Sequence, residues 1–324
     1  MKIDLGWGNS VAVREAFLDT YHGNPMVLAK EELLKFDYPT HEGDPELVEI
    51  TRSVVERQTG RKYKHLFLVN GATGGCVIAL RAYNQAGFDF CVTRPAPYYI
   101  RYPNMIKSSG MTQIQHNPNH SNTKSVTLLD LPSNPLGLQT PISLLAKMPT
   151  IIDAVYYSGV YMQVRGILPE HSVMVGSYSK LTGVNGIRIG WLATDDDLMA
   201  ERFRDLVTSE YCGLSRASSD ILKHTLQGFN WDRFEAAARF KLDCNRSEWE
   251  LLEKFFDGTP VLGIGMFYYA PMDQKAQDIF TKANIGWTKG SAMGTDDGFA
   301  RFNLGAKTES IFETVRRVLK ADRR

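Results

Sequence analysis

From residue 44 to about 205, short apolar runs alternate with helical stretches, and this alternation constrains the fold more than any other feature of the chain. Parallel strands need crossovers of a dozen or more residues, which helices fill, so the pattern predicts a mostly parallel sheet with helices on its faces. Asp44-Pro45 supplies an N-cap and a first-turn proline for an amphipathic helix through ELVEITRSVVERQTG, closed at Gly60. His65 to Val69 reads as a buried strand. Asn70-Gly71 then turns the chain into a helix from about Ala72 to Ala86, with Gly87 as its stop. Further strands are expected near 89–93, 126–131, 150–156 and 172–179. Residues 215–255 carry helical periodicity and read as a long connecting helical region. Two short strands, GMFYYA and FARFNL, and the amphipathic helix TESIFETVRRVLKA then suggest a smaller α+β unit. The expected division is a large α/β domain over 25–240 and a discontinuous small domain over 1–24 and 241–324.

Composition removes several function classes. With 43% hydrophobic and 23% charged residues in 324, the chain is neither disordered nor fibrous. Lys and Arg number 37 against 36 Asp and Glu, so the charge of +1 builds in no global pull toward nucleic acid. No apolar run approaches the ~20 residues that span a bilayer. The opening MKIDLGWGNS lacks a leader's basic-then-apolar pattern, so a cytoplasmic protein with no membrane partner is expected. Cys76, Cys91, Cys212 and Cys244 are scattered without a CxxC pair and read as reduced thiols. His116 and His120 have i, i+4 spacing, but Pro118 between them breaks a helix, and no metal is expected.

The segment richest in chemistry is Ser177-Tyr-Ser-Lys180-Leu-Thr-Gly183-Val-Asn-Gly186-Ile-Arg188-Ile-Gly190-Trp191. A lysine directly after a buried strand must be solvated, paired or chemically used. An amine in an apolar site loses its proton more easily and can attack a carbonyl carbon. Ser177 and Arg188 flank it with good phosphate ligands, and three glycines permit close backbone approach. Taken alone, the segment also reads as a strand exit with a surface lysine. Asn70-Gly-Ala72-Thr73-Gly-Gly75 sits between a strand and a helix, where free N–H groups bind phosphate, yet it matches neither GxGxxG nor the P-loop. Asp153, in an apolar strand, needs a cationic partner. A protonated pyridine nitrogen would serve, as would a structural arginine, and Tyr156 could donate to a ring hydroxyl. Asn134-Pro135-Leu-Gly137 follows a strand where a side-chain amide can reach a ligand at the sheet's carboxyl edge, or simply turns the chain.

Together these residues resemble, in order, the class I/II aminotransferases, which are fold-type-I pyridoxal phosphate enzymes. The resemblance implies a large domain with a mostly parallel seven-stranded sheet flanked by helices, plus a smaller α+β domain. By motif it makes Lys180 the lysine that carries the cofactor as an aldimine and moves the substrate's α-proton. Ser177, Arg188, Ala72 and Thr73 become phosphate ligands, and Asp153 the partner of the pyridine nitrogen. Tyr156 and Asn134 would contact the ring O3′, Asn134 the substrate carboxylate as well. Pro97-Tyr98-Tyr99-Ile-Arg-Tyr102 resembles P-x-Y-x-x-Y, giving Tyr99 as the ring that stacks on the pyridine, with Tyr98 as the off-by-one alternative. Arg301 in Gly298-Phe-Ala-Arg301-Phe-Asn-Leu would bind the α-carboxylate. Tyr38 would reach the phosphate of a neighbouring subunit, which implies a homodimer with shared sites.

Three phrases resemble the alliinase and tryptophan aminotransferase-related branch: Ala96-Pro-Tyr-Tyr-Ile-Arg-Tyr-Pro103, Pro132-Ser-Asn-Pro-Leu-Gly137 and the stretch from Ser179 to Trp191. The opening Ile3-Asp-Leu-Gly-Trp7-Gly8-Asn9 is similar to that branch's first segment, near the substrate. Trp7, Tyr161 and Trp287 are candidates for the pocket wall, or simply core aromatics. The implied activity is transfer of an amino group from an L-amino acid, for instance an aromatic one such as tryptophan, to a 2-oxo acid. An alliinase-like carbon-sulfur lyase is the first alternative, and a non-catalytic α/β binding protein the second.

Overall fold

The computed structural model describes residues 3–4, 10–21, 38–115, 124–138, 148–162, 168, 172–251, 265–306 and 311–321. In chain order the N-terminal elements are β1 (Ile3–Asp4), α1 (Val11–Thr20), α2 (Pro45–Thr59), β2 (His65–Val69), α3 (Gly71–Gln85), β3 (Phe90–Thr93), α4 (Tyr102–Ser108) and β4 (Thr112–Gln115). The middle of the chain adds β5 (Ser125–Asp130), β6 (Thr150–Asp153), β7 (Ser172–Ser177), the single-turn α5 (Tyr178–Leu181), β8 (Gly190–Thr194), α6 (Asp197–Tyr211), α7 (Arg216–Leu226) and α8 (Trp231–Glu250). After these come β9 (Phe267–Pro271), α9 (Gln274–Lys282), β10 (Ile285–Gly286), β11 (Thr288–Lys289), β12 (Phe299–Asn303) and α10 (Ile311–Ala321).

The expected capping signals act as expected. The Asp44 carboxylate accepts from the Leu47 N–H at the start of α2, and Gly60 ends that helix in the left-handed region at φ 69°. Seven strands form the main sheet in the order β2-β8-β7-β6-β5-β3-β4. The pairs β3–β4, β3–β5, β5–β6 and β6–β7 are parallel, whereas β8 runs antiparallel to both β2 and β7. Alternate residues of β2 feed opposite faces: Phe67 and Val69 pack with α3, α4 and α6, Leu66 and Leu68 with α1, α2, α7 and α8. Both faces are thus covered, which is why strands such as β5, β6 and β7 are buried at every residue.

A three-stranded sheet, β11-β12-β9, carries the second core around Trp249, Tyr268, Phe280 and Phe302. Helix α1 joins the two units: Phe17 packs edge-on against Phe234 of α8, and the Ala12 N–H donates to the Gly305 carbonyl. Three expected boundaries move. The strand expected over 150–156 ends at Asp153, because Ala154 to Tyr157 turn the chain. That expected over 172–179 ends at Ser177, whose hydroxyl accepts from the Ser179 N–H and starts α5. Over its described residues, to 251, the helical region 215–255 contains two helices, broken where Gly228 takes φ 65° and Asn230 caps α8.

Candidate active site

The carboxyl ends of parallel strands in an open α/β sheet leave a crevice, and here it is a cleft of about 580 Å³ between the main sheet and the small domain. Lys180 enters it from α5. Its Nζ donates to the Asn185 Oδ1 at 3.4 Å, and the Tyr161 hydroxyl holds its backbone carbonyl at 2.8 Å. Burial, with the Arg301 and Arg188 guanidiniums nearby, lowers the Lys180 amine from 10.5 to about 8. Arg188, at a left-handed φ of 56°, donates to the Ser179 hydroxyl and the Asn185 carbonyl, each at 3.2 Å. Its guanidinium lies over Gly71, the first residue of α3: a Cβ there would sit 2.3 Å from the Arg188 Nη2, and φ is 67°. Gly190 serves a second close approach, since its Cβ would lie 2.7 Å from the Gly71 carbonyl carbon. Asn70 makes no side-chain cap, so the first-turn N–H groups of α3 face the cleft beside Ala72 and Thr73.

Asp153 ends β6 and is buried, taking a hydrogen bond from the Tyr102 hydroxyl at 3.0 Å and from the Val155 N–H at 3.3 Å. Burial and the neighbouring Asp130 raise its carboxyl from 3.8 to about 7, against the opposing effect of those bonds. Tyr102 also meets the Tyr99 ring edge-on at 5.3 Å. Tyr99, not Tyr98, lines the cleft.

At the other end, buried Arg301 of β12 donates to the Asn134 Oδ1 at 2.9 Å and the Thr288 Oγ1 at 3.2 Å. Its Cζ stands 4.2 Å from the Phe267 ring centroid. Burial lowers the Arg301 guanidinium below its usual range. Tyr156 packs edge-on to both Tyr161 and Phe267.

Ala72, Thr73, Tyr99, Asn134, Asp153, Tyr156, Ser177, Lys180, Arg188 and Arg301 therefore share one cleft, and Trp287 lines it too. Tyr38 does not: its side chain is 87% exposed. Trp7 and Gly8, like His116 and His120, lie outside the described residues. Tyr161 is core, behind Tyr156 and Lys180. Asp130 and Thr288, together with Tyr102 and Asn185, which the quoted motifs contain without a role, line the cleft as well. Among the described residues no cluster of His, Cys, Asp or Glu is placed to hold a metal, and no helix is long and apolar enough to cross a membrane.

The donor set fits pyridoxal phosphate. An uncapped helix N-terminus beside Arg188 and Ser177 suits a phosphate, and the space above Gly71 would be lost to any Cβ. A carboxyl buried at a strand end and held by the Tyr102 hydroxyl and the Val155 N–H suits a protonated pyridine nitrogen, which would supply the cation that favours its charged form. A sheet of this topology, with a cleft lysine one turn after β7 and ahead of the antiparallel β8, is the large-domain fold of the fold-type-I class of pyridoxal phosphate enzymes. The family model described as Allinase matches residues 44–267, well over half of the chain, so the chain belongs to the allinase family.

A curated relative, tryptophan aminotransferase-related protein 1 of Oryza sativa subsp. japonica, is 28% identical over 192 residues, 56% of this chain. The match spans 43% of that protein, less than half its length. Among solved structures, an aromatic aminotransferase from Pyrococcus horikoshii OT3 superposes with a TM-score of 0.80 at 17% identity, covering 99% of this chain and 96% of that one. A double mutant of Thermus thermophilus aspartate aminotransferase gives 0.78 at 16%, covering 98% and 90%. These likenesses show the fold.

Proposed function

We propose that the chain is a pyridoxal phosphate-dependent aminotransferase that moves an amino group from an uncharged L-amino acid, such as tryptophan, to a 2-oxo acid. The observation that carries this reading is the convergence of Lys180, Asp153 and Arg301 on one cleft. Arg188, Ser177 and the N–H groups of Ala72 and Thr73 would hold the phosphate, Tyr99 the ring face, and Tyr156 and Asn134 the ring hydroxyl. When bound, the cofactor supplies an electron sink for the pair left behind when a bond to the substrate's Cα breaks. Arg301, pre-aimed by Asn134 and Thr288, receives the α-carboxylate and orients the Cα–H bond. The Lys180 amine, lowered to about 8, is a base matched to neutral pH that takes the proton from Cα. Asp153 holds the compensating negative charge at the far end, and Trp287 and Phe267 exclude water from the substrate side.

The same early steps serve a second reading, favoured by the Allinase match, in which a β-substituent leaves and a carbon–sulfur bond breaks. A homodimer is part of the proposal. Tyr38 stands exposed while the loop behind it is pinned by the Leu68 N–H to the Glu42 carbonyl and by Arg204 to Glu42, a posture suited to reaching a second copy.

The test is the absorption spectrum of the chain with pyridoxal phosphate, before and after L-tryptophan is added without a 2-oxo acid. A visible band that decays to the pyridoxamine form, with borohydride fixing the cofactor on Lys180, is the expected result. Lys180→Ala should abolish the fixation and cut turnover at least ~10³-fold. Pyruvate and ammonia from a cysteine derivative would favour the lyase. No band and no fixation would overturn both readings and leave a binding protein.

A further inference from the structure

Asp130 is used by none of these steps, yet it lies 3% exposed at the floor of the cleft. It ends β5 directly opposite Asp153 in the parallel register of β5 and β6, so two buried carboxyls stand on adjacent strand ends. Its Oδ2 accepts from the Asn134 N–H at 2.7 Å, across the turn that follows β5. Its Oδ1 faces the Arg94 Nε at 3.5 Å, just beyond the end of β3. Asn134 in turn offers its Oδ1 to Arg301. One carboxylate thus touches the turn whose Asn134 accepts from Arg301, the arginine proposed for the substrate carboxylate, and, by its charge, the group expected to face the pyridine nitrogen.

We propose that Asp130 is a positioning residue of the cleft: it anchors the Asn134 turn so that the amide meets Arg301, and it sets the charge that Asp153 faces across the strand pair. The inference rests on the pyridoxal phosphate reading for its purpose, but its geometry does not need the cofactor. The groups around the pair come from every neighbouring element. Arg94 follows β3, Tyr102 belongs to α4 and Cys76 to α3, while Tyr99 and Tyr156 face Asp153 from the cleft. Burial raises both carboxyls; Arg94, paired with Asp130, opposes the rise there, whereas the Asp130 charge adds to it at Asp153.

The experiment uses the cofactor-free full chain with carboxyl-labelled aspartate, following the Asp153 resonance by NMR across pH, with Asp153→Asn as the assignment control. Asp130→Asn keeps an oxygen for the Asn134 N–H and removes the charge, so the Asp153 midpoint should fall by ~1 on the pH scale. Arg94→Gln exposes Asp153 to an uncompensated neighbour and should move the midpoint up, a change of opposite sign that no general loosening would give. For the anchoring role, the side-chain N–H signal of Arg301, assigned with Arg301→Lys, should hold in Asp130→Asn and shift or broaden in Asp130→Ala. Melting curves check that each variant folds, and Arg94→Gln carries the charge test if Asp130→Asn does not. An Asp153 midpoint unmoved by both charge variants, or an Arg301 signal alike in Asn and Ala, overturns the proposal. Failure to capture pyridoxal phosphate, with these shifts as expected, overturns the cofactor reading instead and leaves Asp130 in its place.

Discussion

The two ends of the cleft are built by different means. Ser177 ends β7, Lys180 and Arg188 follow on the segment that leads to β8, and Asp130 and Asp153 end the next strands of the same sheet, so backbone ladders set their spacing. Arg301 and Thr288 come from the small sheet, and Arg301 meets Asn134 across 167 residues of sequence through a side-chain hydrogen bond. The family match covers the first group and stops at residue 267, before the second. The end proposed for the cofactor thus lies within the family-matched segment. The carboxylate end is an assembly of side chains whose positions depend on how the two cores meet.

That contrast can be broken most sharply at Arg301. Arg301→Ala should cut kcat/KM for the amino donor about 100-fold while changing pyridoxal phosphate affinity by about 2-fold or less, read by steady-state kinetics and equilibrium titration. Loss of the cofactor as well would mean the two ends are one unit. The converse is Gly71→Ala, which places a methyl against the Arg188 guanidinium at a strained φ. It should weaken pyridoxal phosphate binding about 10-fold and leave donor KM nearly unchanged once cofactor is saturating.

The smallest effect is in stability of the cofactor-free chain. Asp153 keeps a proton in the fold up to about 7 that the unfolded chain releases near 3.8, so its contribution to stability falls as pH rises through that window. Lys180 gives up its proton near 8 in the fold and 10.5 when unfolded, so its contribution rises between those values. Melting temperatures of Asp153→Asn should lose the first slope and keep the second, and those of Lys180→Ala the reverse, with shifts of a few degrees.

Much of the cofactor end was legible because it is written in short, contiguous stretches. Asp44, Pro45 and Gly60 bounded α2 to the residue, and the Lys180 segment carried Ser177, Lys180 and Arg188, which line one cleft, in one short stretch. β8 went unseen because Gly190 and Trp191 had been read as part of that motif, and only pairing with β2 and β7 makes them a strand. Asp130 was missed although the reasoning applied to Asp153, a carboxylate closing an apolar strand, applied equally to VTLLD. Tyr102 closed the P-x-Y-x-x-Y resemblance without a role of its own, and Thr288 had no local signal. Their roles arise from partners 51 and 13 residues away that only the fold brings near. Tyr161 read as a possible pocket wall, since sequence cannot tell an aromatic that faces a cleft from one that props the residue facing it.

The antiparallel placement of β8 has a further consequence in loop entropy. A strand parallel to β7 would have required the chain to cross the whole sheet before returning, carrying Arg188 away from Lys180. Because β8 runs back beside β7, the pairs Ser177–Gly190 and Gly176–Trp191 staple both ends of segment 178–189 to one ladder, like the mouth of a hairpin. The closure cost of that loop is met by the sheet itself. The amine of Lys180 therefore stands where two hydrogen-bonded strands put it, and an insertion in the loop would lengthen its tip without moving either foot.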